Sequence, residues 1–209
     1  MIVKNPTSND SKSSNDYGSA FYCTHDLVSA HEWACRNKSV GYVNEYELNI
    51  NNLKILDLTD KDKYSVLNWV AILLHFRNLD KSFVRSFSKR LEYIANNYYI
   101  DVKEYDLVIG YRADDAYFRF PRMFIEGVLT YEKLEEIYLE GNLGKQYVLK
   151  SEKAFSRIHY VGYIEAEAFY KERYELRKNN ANRHYTELEL AQRKAKGKRI
   201  RDLIEDDRE

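Results

Sequence analysis

The sequence is poor in proline, cysteine and methionine, with 2 residues of each among its 209. Two cysteines, Cys23 and Cys35, are too few for a disulfide framework or a cysteine-rich metal site, and they suit a reducing compartment. Net charge is also missing, because 33 Lys and Arg residues balance 33 Asp and Glu residues. No global charge therefore points to nucleic acid or to an anionic membrane surface.

Long apolar runs are absent as well. No stretch approaches the roughly 20 apolar residues that a membrane-spanning helix needs. The N-terminus lacks the apolar core of a signal peptide. The 5 histidines are scattered, without the spacing of metal ligands. We therefore expect a cytoplasmic protein with no membrane association and no metal site.

Tyrosine, in contrast, is abundant at 19 residues, and this side chain packs its ring while keeping a polar end. The apolar periodicities predict alternating helices and strands. Helices are predicted over 26–37, 64–77, 83–99, 117–127, 131–140 and 152–158, and strands over 42–48, 53–58, 105–110, 146–149 and 158–162. In the first helix, Leu27, Ala30 and Trp33 or Ala34 are expected on the packed face.

Beyond residue 163 the composition changes to charges of both signs, with tyrosines at helical spacing. This pattern predicts one or two exposed helices docked by their tyrosines. We expect an α+β fold with a domain over 1–162 and a charged helical extension over 163–209. The basic run 193–201 is typical of a solvated helix face, and contact with phosphate or nucleic acid is the alternative.

The predicted fold is organised around residues 16–24, a turn and a short strand that lead into the first helix. Asp16 and Gly18 indicate the turn, because Asp bonds its own backbone and Gly tolerates positive φ. Tyr22 lies in the strand. From the residues alone, Tyr22 is either a packed core tyrosine at an ordinary corner or part of a ligand site.

A second polar segment follows the predicted strand 105–110, and loops at strand ends often have functional residues. There Arg112 could bind a phosphate with two parallel hydrogen bonds. It could equally pair with Asp114 or Asp115 and lock the loop. Arg77 ends an apolar helix, so we expect it in a buried structural pair.

Three segments together resemble a bacterial domain family of uncharacterised function that is grouped with the ADP-ribosyltransferase fold. Residues 16–24 resemble its Asp-Phe-Gly-x-Gly-Phe-Tyr-x-Thr signature, and residues 106–115 and 146–155 resemble two further blocks. The resemblance covers residues 1–162. It implies a split β-sheet core with flanking helices, to which the C-terminal helices are an addition.

The resemblance also implies roles for individual residues. Tyr22 is similar to the tyrosine that stacks on nicotinamide in poly-ADP-ribose polymerases, and Gly18 and Phe21 belong to the same NAD-binding segment. Gln146 falls where that superfamily has its catalytic glutamate, and Arg112 is the implied phosphate contact. Asp114 or Asp115 would supply the carboxylate that Gln146 lacks. The first-strand His or Arg of the superfamily has no match in this sequence, which begins at Met1.

The implied activity is NAD-dependent transfer of ADP-ribose to a macromolecular target, protein or nucleic acid. By superfamily analogy the setting is a bacterial toxin, a toxin–antitoxin pair with a cognate antitoxin, or phage defence. The alternative is a catalytically inactive relative that binds a nucleotide or a partner. A further alternative is a nucleic-acid-binding protein that uses the basic C-terminal helix.

Overall fold

The computed structural model describes residues 1–8, 11–37, 40–113, 117–140, 144–192 and 194–207. These residues form a mixed α/β fold in which strands and helices alternate through most of the chain. The strands are β1 (Phe21–Cys23), β2 (Gly41–Leu48), β3 (Ile55–Asp57), β4 (Leu107–Tyr111), β5 (Lys145–Leu149) and β6 (Ile158–Ala166). The helices are α1 (Leu27–Cys35), α2 (Val66–Phe76), α3 (Lys81–Tyr98), α4 (Arg119–Glu126), α5 (Tyr131–Glu140), α6 (Glu152–Phe155), α7 (Phe169–Gln192) and α8 (Ile200–Asp206).

The described strands form two separate sheets. The larger sheet has the order β1-β5-β4-β3, in which β1 and β4 both run antiparallel to β5 and β3 runs parallel to β4. The smaller sheet pairs β2 with β6 in antiparallel register, with an irregularity between Glu45 and Tyr46. The predicted strands are therefore confirmed in place, and β4, at the centre, is the apolar run expected to be buried.

The two faces of the larger sheet pack against different layers. One face packs Tyr22, Val108 and Val148 against the main core, which includes the buried helix α2. The other face turns Phe21 and Tyr147 towards Tyr46 of the smaller sheet. Alternation along each strand produces this division, because successive side chains point to opposite faces.

Local sequence explains why α2 begins where it does. The Ser65 side chain accepts a hydrogen bond at the helix start, and Asn68 bonds back to the Ser65 backbone. This capping box satisfies backbone donors that the first helical turn leaves free. Trp69, Val70 and Ile72 are then buried. Among the described helices, none is both long and apolar enough to cross a bilayer.

Helix α1 packs partly on the predicted face, because Ala30 and Ala34 lie against the buried cluster of Cys35, Val43 and Ala166. Leu27, also expected there, is 54% exposed, and of the two alternatives Ala34 packs while Trp33 is 44% exposed. His31, Glu32 and Cys35 are buried instead. The reason is that α7 covers this side of α1, where Arg173 and Arg177 pair with Glu32 and the Tyr170 ring stacks on His31.

The C-terminal segment is more closely integrated than an exposed extension. Strand β6 continues past the predicted boundary after residue 162 and ends at Ala166, so this boundary lies inside a paired strand. Helix α7 is long, as predicted, and α8 places Ile200 in the main core with no exposed surface.

The basic run 193–201 is not one solvated helix. In its described part, residues 194–199 form no regular element and connect α7 to α8, and the last two residues of the run, Ile200 and Arg201, begin α8. The Arg199 guanidinium donates to the carbonyls of Gly127, Val128 and Gln192 at 2.5–2.9 Å. Arg199 therefore stabilises the packing of the C-terminus on α4, where the sequence predicted a surface charge.

Candidate functional site

The turn before β1 fixes the Tyr22 hydroxyl. Gly18 has a φ of 76°, in the left-handed region that favours glycine, and its N–H donates to the Asn15 carbonyl at 2.9 Å. The Tyr22 hydroxyl donates to the Gly18 carbonyl at 2.6 Å and accepts from the Tyr17 N–H at 3.1 Å. Burial raises the pKa of Tyr22 well above its ordinary value, so the hydroxyl keeps its proton at neutral pH. The half-buried Tyr22 ring is thus held in one orientation.

Gln146 lies on the same face of the sheet as Tyr22. Tyr22 on β1 is directly opposite Val148 on β5, and Gln146 is two residues from Val148, so all three side chains point to one face. Gln146 is buried, and its Nε2 donates to Asp16 Oδ2 at 3.5 Å. The structure therefore brings together two positions that are far apart in the sequence.

Asp16 is at the centre of this arrangement. Its carboxylate accepts from Arg77 Nε at 2.9 Å and from the Ala113 N–H at 3.0 Å. Arg77 also donates to the Ala113 carbonyl at 2.5 Å. Burial raises the pKa of Asp16, although the Arg77 charge acts in the opposite direction. The expected structural pair of Arg77 is present, and Asp16 is more than a turn former because it joins β4, β5 and the end of α2.

Tyr17 is a contributor that the sequence reasoning missed. Its side chain has no exposed surface, and its hydroxyl donates to the Tyr111 carbonyl at 2.9 Å. Trp69 Nε1 donates to the same carbonyl at 3.0 Å. A Cβ at Gly110 would lie 2.0 Å from the Tyr17 hydroxyl oxygen, so only glycine fits there. The glycine at the end of β4 was the available signal for this close approach.

Arg112, the residue after β4, lies against α1. Its guanidinium is 4.8 Å from the centre of the Trp33 ring, and the Arg36 guanidinium is 3.8 Å from the same ring. Such cation–π contacts are favourable. Trp33 is thus an exposed ring that contacts two arginines, a feature the predicted helix face did not anticipate. Asp114 and Asp115, the predicted partners of Arg112, lie outside the described residues.

Phe21 is not brought together with Tyr22. It points to the opposite face of the larger sheet, where its ring meets Tyr46 edge-on with 5.4 Å between the ring centres. In this position Phe21 packs between the two sheets. Of the residues predicted for the NAD site, the structure gathers Gly18, Tyr22 and Gln146 around Asp16.

The arrangement offers hydrogen-bonding and aromatic groups and no metal-binding set. Within the described ranges, no three or more His, Cys, Asp or Glu side chains lie close enough to hold a metal ion. His25 is exposed near Tyr147, and the buried His31 stacks on Tyr170 with 4.4 Å between the ring centres. The side chains that this site brings together are therefore a tyrosine ring, a buried amide and guanidinium groups.

The fold and this cluster define a mixed α/β protein whose strand-to-helix corner is fastened by a buried Asp–Arg pair. Residues 1–160 match the family described as "Protein of unknown function (DUF3990)", and the chain belongs to that family. This confirms the predicted membership in a domain family of uncharacterised function. No curated protein and no solved structure matches the chain.

Proposed function

We propose that this protein transfers ADP-ribose from NAD to a macromolecular target. The observation that supports the proposal is the position of Tyr22 and Gln146 on one face of the neighbouring strands β1 and β5. The resemblance assigns the nicotinamide-stacking tyrosine and the catalytic glutamate to these two positions. Side chains that act on one substrate must converge in this way, although they come from distant parts of the sequence.

The chemistry requires stabilisation of positive charge. As nicotinamide leaves, the ribose develops oxocarbenium character, as in glycoside cleavage. In the proposal the Tyr22 ring stacks on nicotinamide and holds it for departure. The Gln146 amide orients a ribose hydroxyl through a hydrogen bond, but it cannot act as a base. A carboxylate near the ribose would stabilise the developing charge.

The proposed source of this carboxylate is Asp114 or Asp115. Ala113, immediately before them, is fixed by its backbone bonds to Asp16 and Arg77. The residue that precedes them is therefore fixed at the Asp16 carboxylate, which Gln146 also contacts. The double variant with Asn at positions 114 and 115 tests this role, and unchanged transferase activity would eliminate it.

The decisive experiment uses NAD labelled in the ADP-ribose part, incubated with the protein and a cell lysate. We expect the label to enter a macromolecule with the native protein and not with Tyr22→Ala. Tyr163→Ala is the matched control, because Tyr163 is an exposed tyrosine on β6. It should transfer label like the native protein. Circular dichroism and thermal melting establish that both variants are folded.

The second candidate is a non-catalytic module that binds NAD or a related nucleotide. The internal hydrogen bonds favour it, because Asp16 is paired with Arg77 and the Tyr22 hydroxyl is bound within its own turn. NAD binding by calorimetry without label transfer is the outcome that selects this module. The absence of both binding and transfer would contradict both functions.

A further inference from the structure

Lys150, the residue immediately after β5, contacts the turn that holds Tyr22. Its Nζ donates to the Tyr17 carbonyl at 2.7 Å and to the Ser19 carbonyl at 3.0 Å. These two carbonyls flank Gly18. The backbone of Lys150 is fixed as well, because its N–H donates to the Asp106 carbonyl at 2.9 Å. A single ammonium group thus joins both sides of the glycine turn to the central sheet.

This contact is coupled to Tyr22 through the turn itself. The Tyr17 N–H and the Gly18 carbonyl are the two backbone groups that bind the Tyr22 hydroxyl. They belong to the same short segment as the carbonyls bound by Lys150. Hydrogen bonds from a charged donor are stronger than neutral ones. The ammonium therefore stabilises the backbone conformation on which the orientation of the Tyr22 ring depends.

We propose that Lys150 is a positioning residue for Tyr22, acting through the Tyr17–Gly18–Ser19 turn. This inference rests on the proposed NAD function for its effect on binding, and on the geometry alone for its effect on the turn. Lys150 does not contact the substrate in this proposal. It determines the fraction of molecules in which the Tyr22 ring has the orientation that stacks on nicotinamide.

The surroundings of Lys150 also make the contact sensitive to pH. The turn offers it carbonyl oxygens, and α2 places the Phe76 ring 5.7 Å from its Nζ. The charged groups acting on it, Lys103 and Asp101, come from the segment before β4. Burial, with a smaller effect of Lys103, lowers the pKa of Lys150 to about 8, and Asp101 raises it. The charge is therefore present at neutral pH and is lost as the pH rises through that value.

The test compares Lys150→Met with Lys153→Met in the full chain. Lys153 is the matched control, because its Nζ also donates to a backbone carbonyl, that of Asn52, outside the Tyr22 turn. Amide hydrogen exchange of peptides covering residues 16–24 reports on the turn. Calorimetry with NAD reports on binding. We expect about tenfold faster exchange and about tenfold weaker NAD binding for Lys150→Met, and neither change for Lys153→Met.

The pH profile gives a readout that a purely structural role would not change. NAD affinity of the native protein should fall as the pH rises through about 8. Lys150→Arg keeps its charge over this range and should remove the step. Unchanged exchange in Lys150→Met would overturn the positioning role. If the native protein does not bind NAD, the proposed function fails, and the exchange comparison still decides whether Lys150 holds the turn.

Discussion

Two buried carboxylates, Asp16 and Glu32, hold different parts of the molecule together. Asp16 is 7% exposed and Glu32 is 5% exposed, and each accepts a hydrogen bond from an arginine Nε. The distances are similar, 2.9 Å from Arg77 to Asp16 and 2.8 Å from Arg177 to Glu32. In their immediate geometry the two ion pairs are alike.

The partners of the two carboxylates lie in different parts of the chain. Asp16 also binds the Ala113 backbone and the Gln146 side chain, so its contacts lie within residues 1–160, the part that matches the family. The described arginines paired with Glu32, Arg173 and Arg177, both lie on α7, beyond that part. One cluster therefore joins the strand ends of the candidate site, and the other attaches the C-terminal helix to α1.

The clusters also differ in their access to water. The Arg77 side chain is 20% exposed, whereas those of Arg177 and Arg173 are 26% and 55% exposed. An arginine that loses its partner near the surface can be hydrated, whereas one surrounded by protein cannot. We therefore expect the two ion pairs to differ in how much they stabilise the fold despite their similar geometry, and single substitutions test this.

The largest effect is expected from Asp16→Ala. The substitution removes the buried carboxylate that accepts from Arg77 Nε and the Ala113 N–H, whereas Arg77 keeps its bond to the Ala113 carbonyl. Removal of one partner from a buried, hydrogen-bonded pair costs about 3 kcal/mol. Urea denaturation should show this loss in the free energy of unfolding. Asp62→Ala, at an exposed carboxylate, should stay within about 0.5 kcal/mol of the native protein.

A smaller effect is expected from Glu32→Ala, about 1 kcal/mol, because Arg173, the more exposed of its arginines, can become hydrated when released. Hydrogen exchange should accelerate in the first half of α7 and remain unchanged in β4 and β5. Glu175→Ala, on the exposed side of α7, is the control for the loss of a carboxylate. If Glu32→Ala destabilises the protein as much as Asp16→Ala, the proposed difference between the clusters is wrong.

The sequence predicted the positions of helices and strands better than it predicted which of their side chains are buried. The apolar periods located α2 and β4 correctly, because burial of apolar residues at a fixed spacing is a local property. The same reasoning placed Leu27 on the packed face of α1, and there it was wrong. The burial of Glu32 depends on arginines that are far away along the chain, since Arg177 lies 145 residues from it. No local pattern contains that information.

The candidate site was predictable to a similar extent. Turn chemistry at Gly18 and the expected pair of Arg77 follow from residue type and position. The partner of Arg77 does not, since Asp16 lies 61 positions away in the sequence and no local pattern joins the two. Tyr17 and Lys150 were missed because their hydrogen bonds go to backbone carbonyls, which every residue has and no sequence pattern marks.

The smallest expected effect is a difference in pH dependence between the stability contributions of Asp16 and Asp26. The Asp26 side chain caps α1. Burial raises the pKa of Asp16, so its contribution to stability is full below its unfolded value of about 3.8 and declines as the pH rises through the folded value. The Ser29 N–H lowers the pKa of Asp26. The contribution of Asp26 is present above its unfolded value and is lost as the pH falls through the folded value.

Urea denaturation of Asp16→Asn and Asp26→Asn between neutral pH and about pH 3 tests these opposite signs. On acidification, the stability difference between the native protein and Asp16→Asn should grow, whereas the difference from Asp26→Asn should shrink. Burial would then have a larger effect on the pKa of Asp16 than its pairing with Arg77. The pKa of Asp26 would be set mainly by its hydrogen bond from the Ser29 N–H. Two differences that move in the same direction would show that the Arg77 charge, and not burial, controls Asp16.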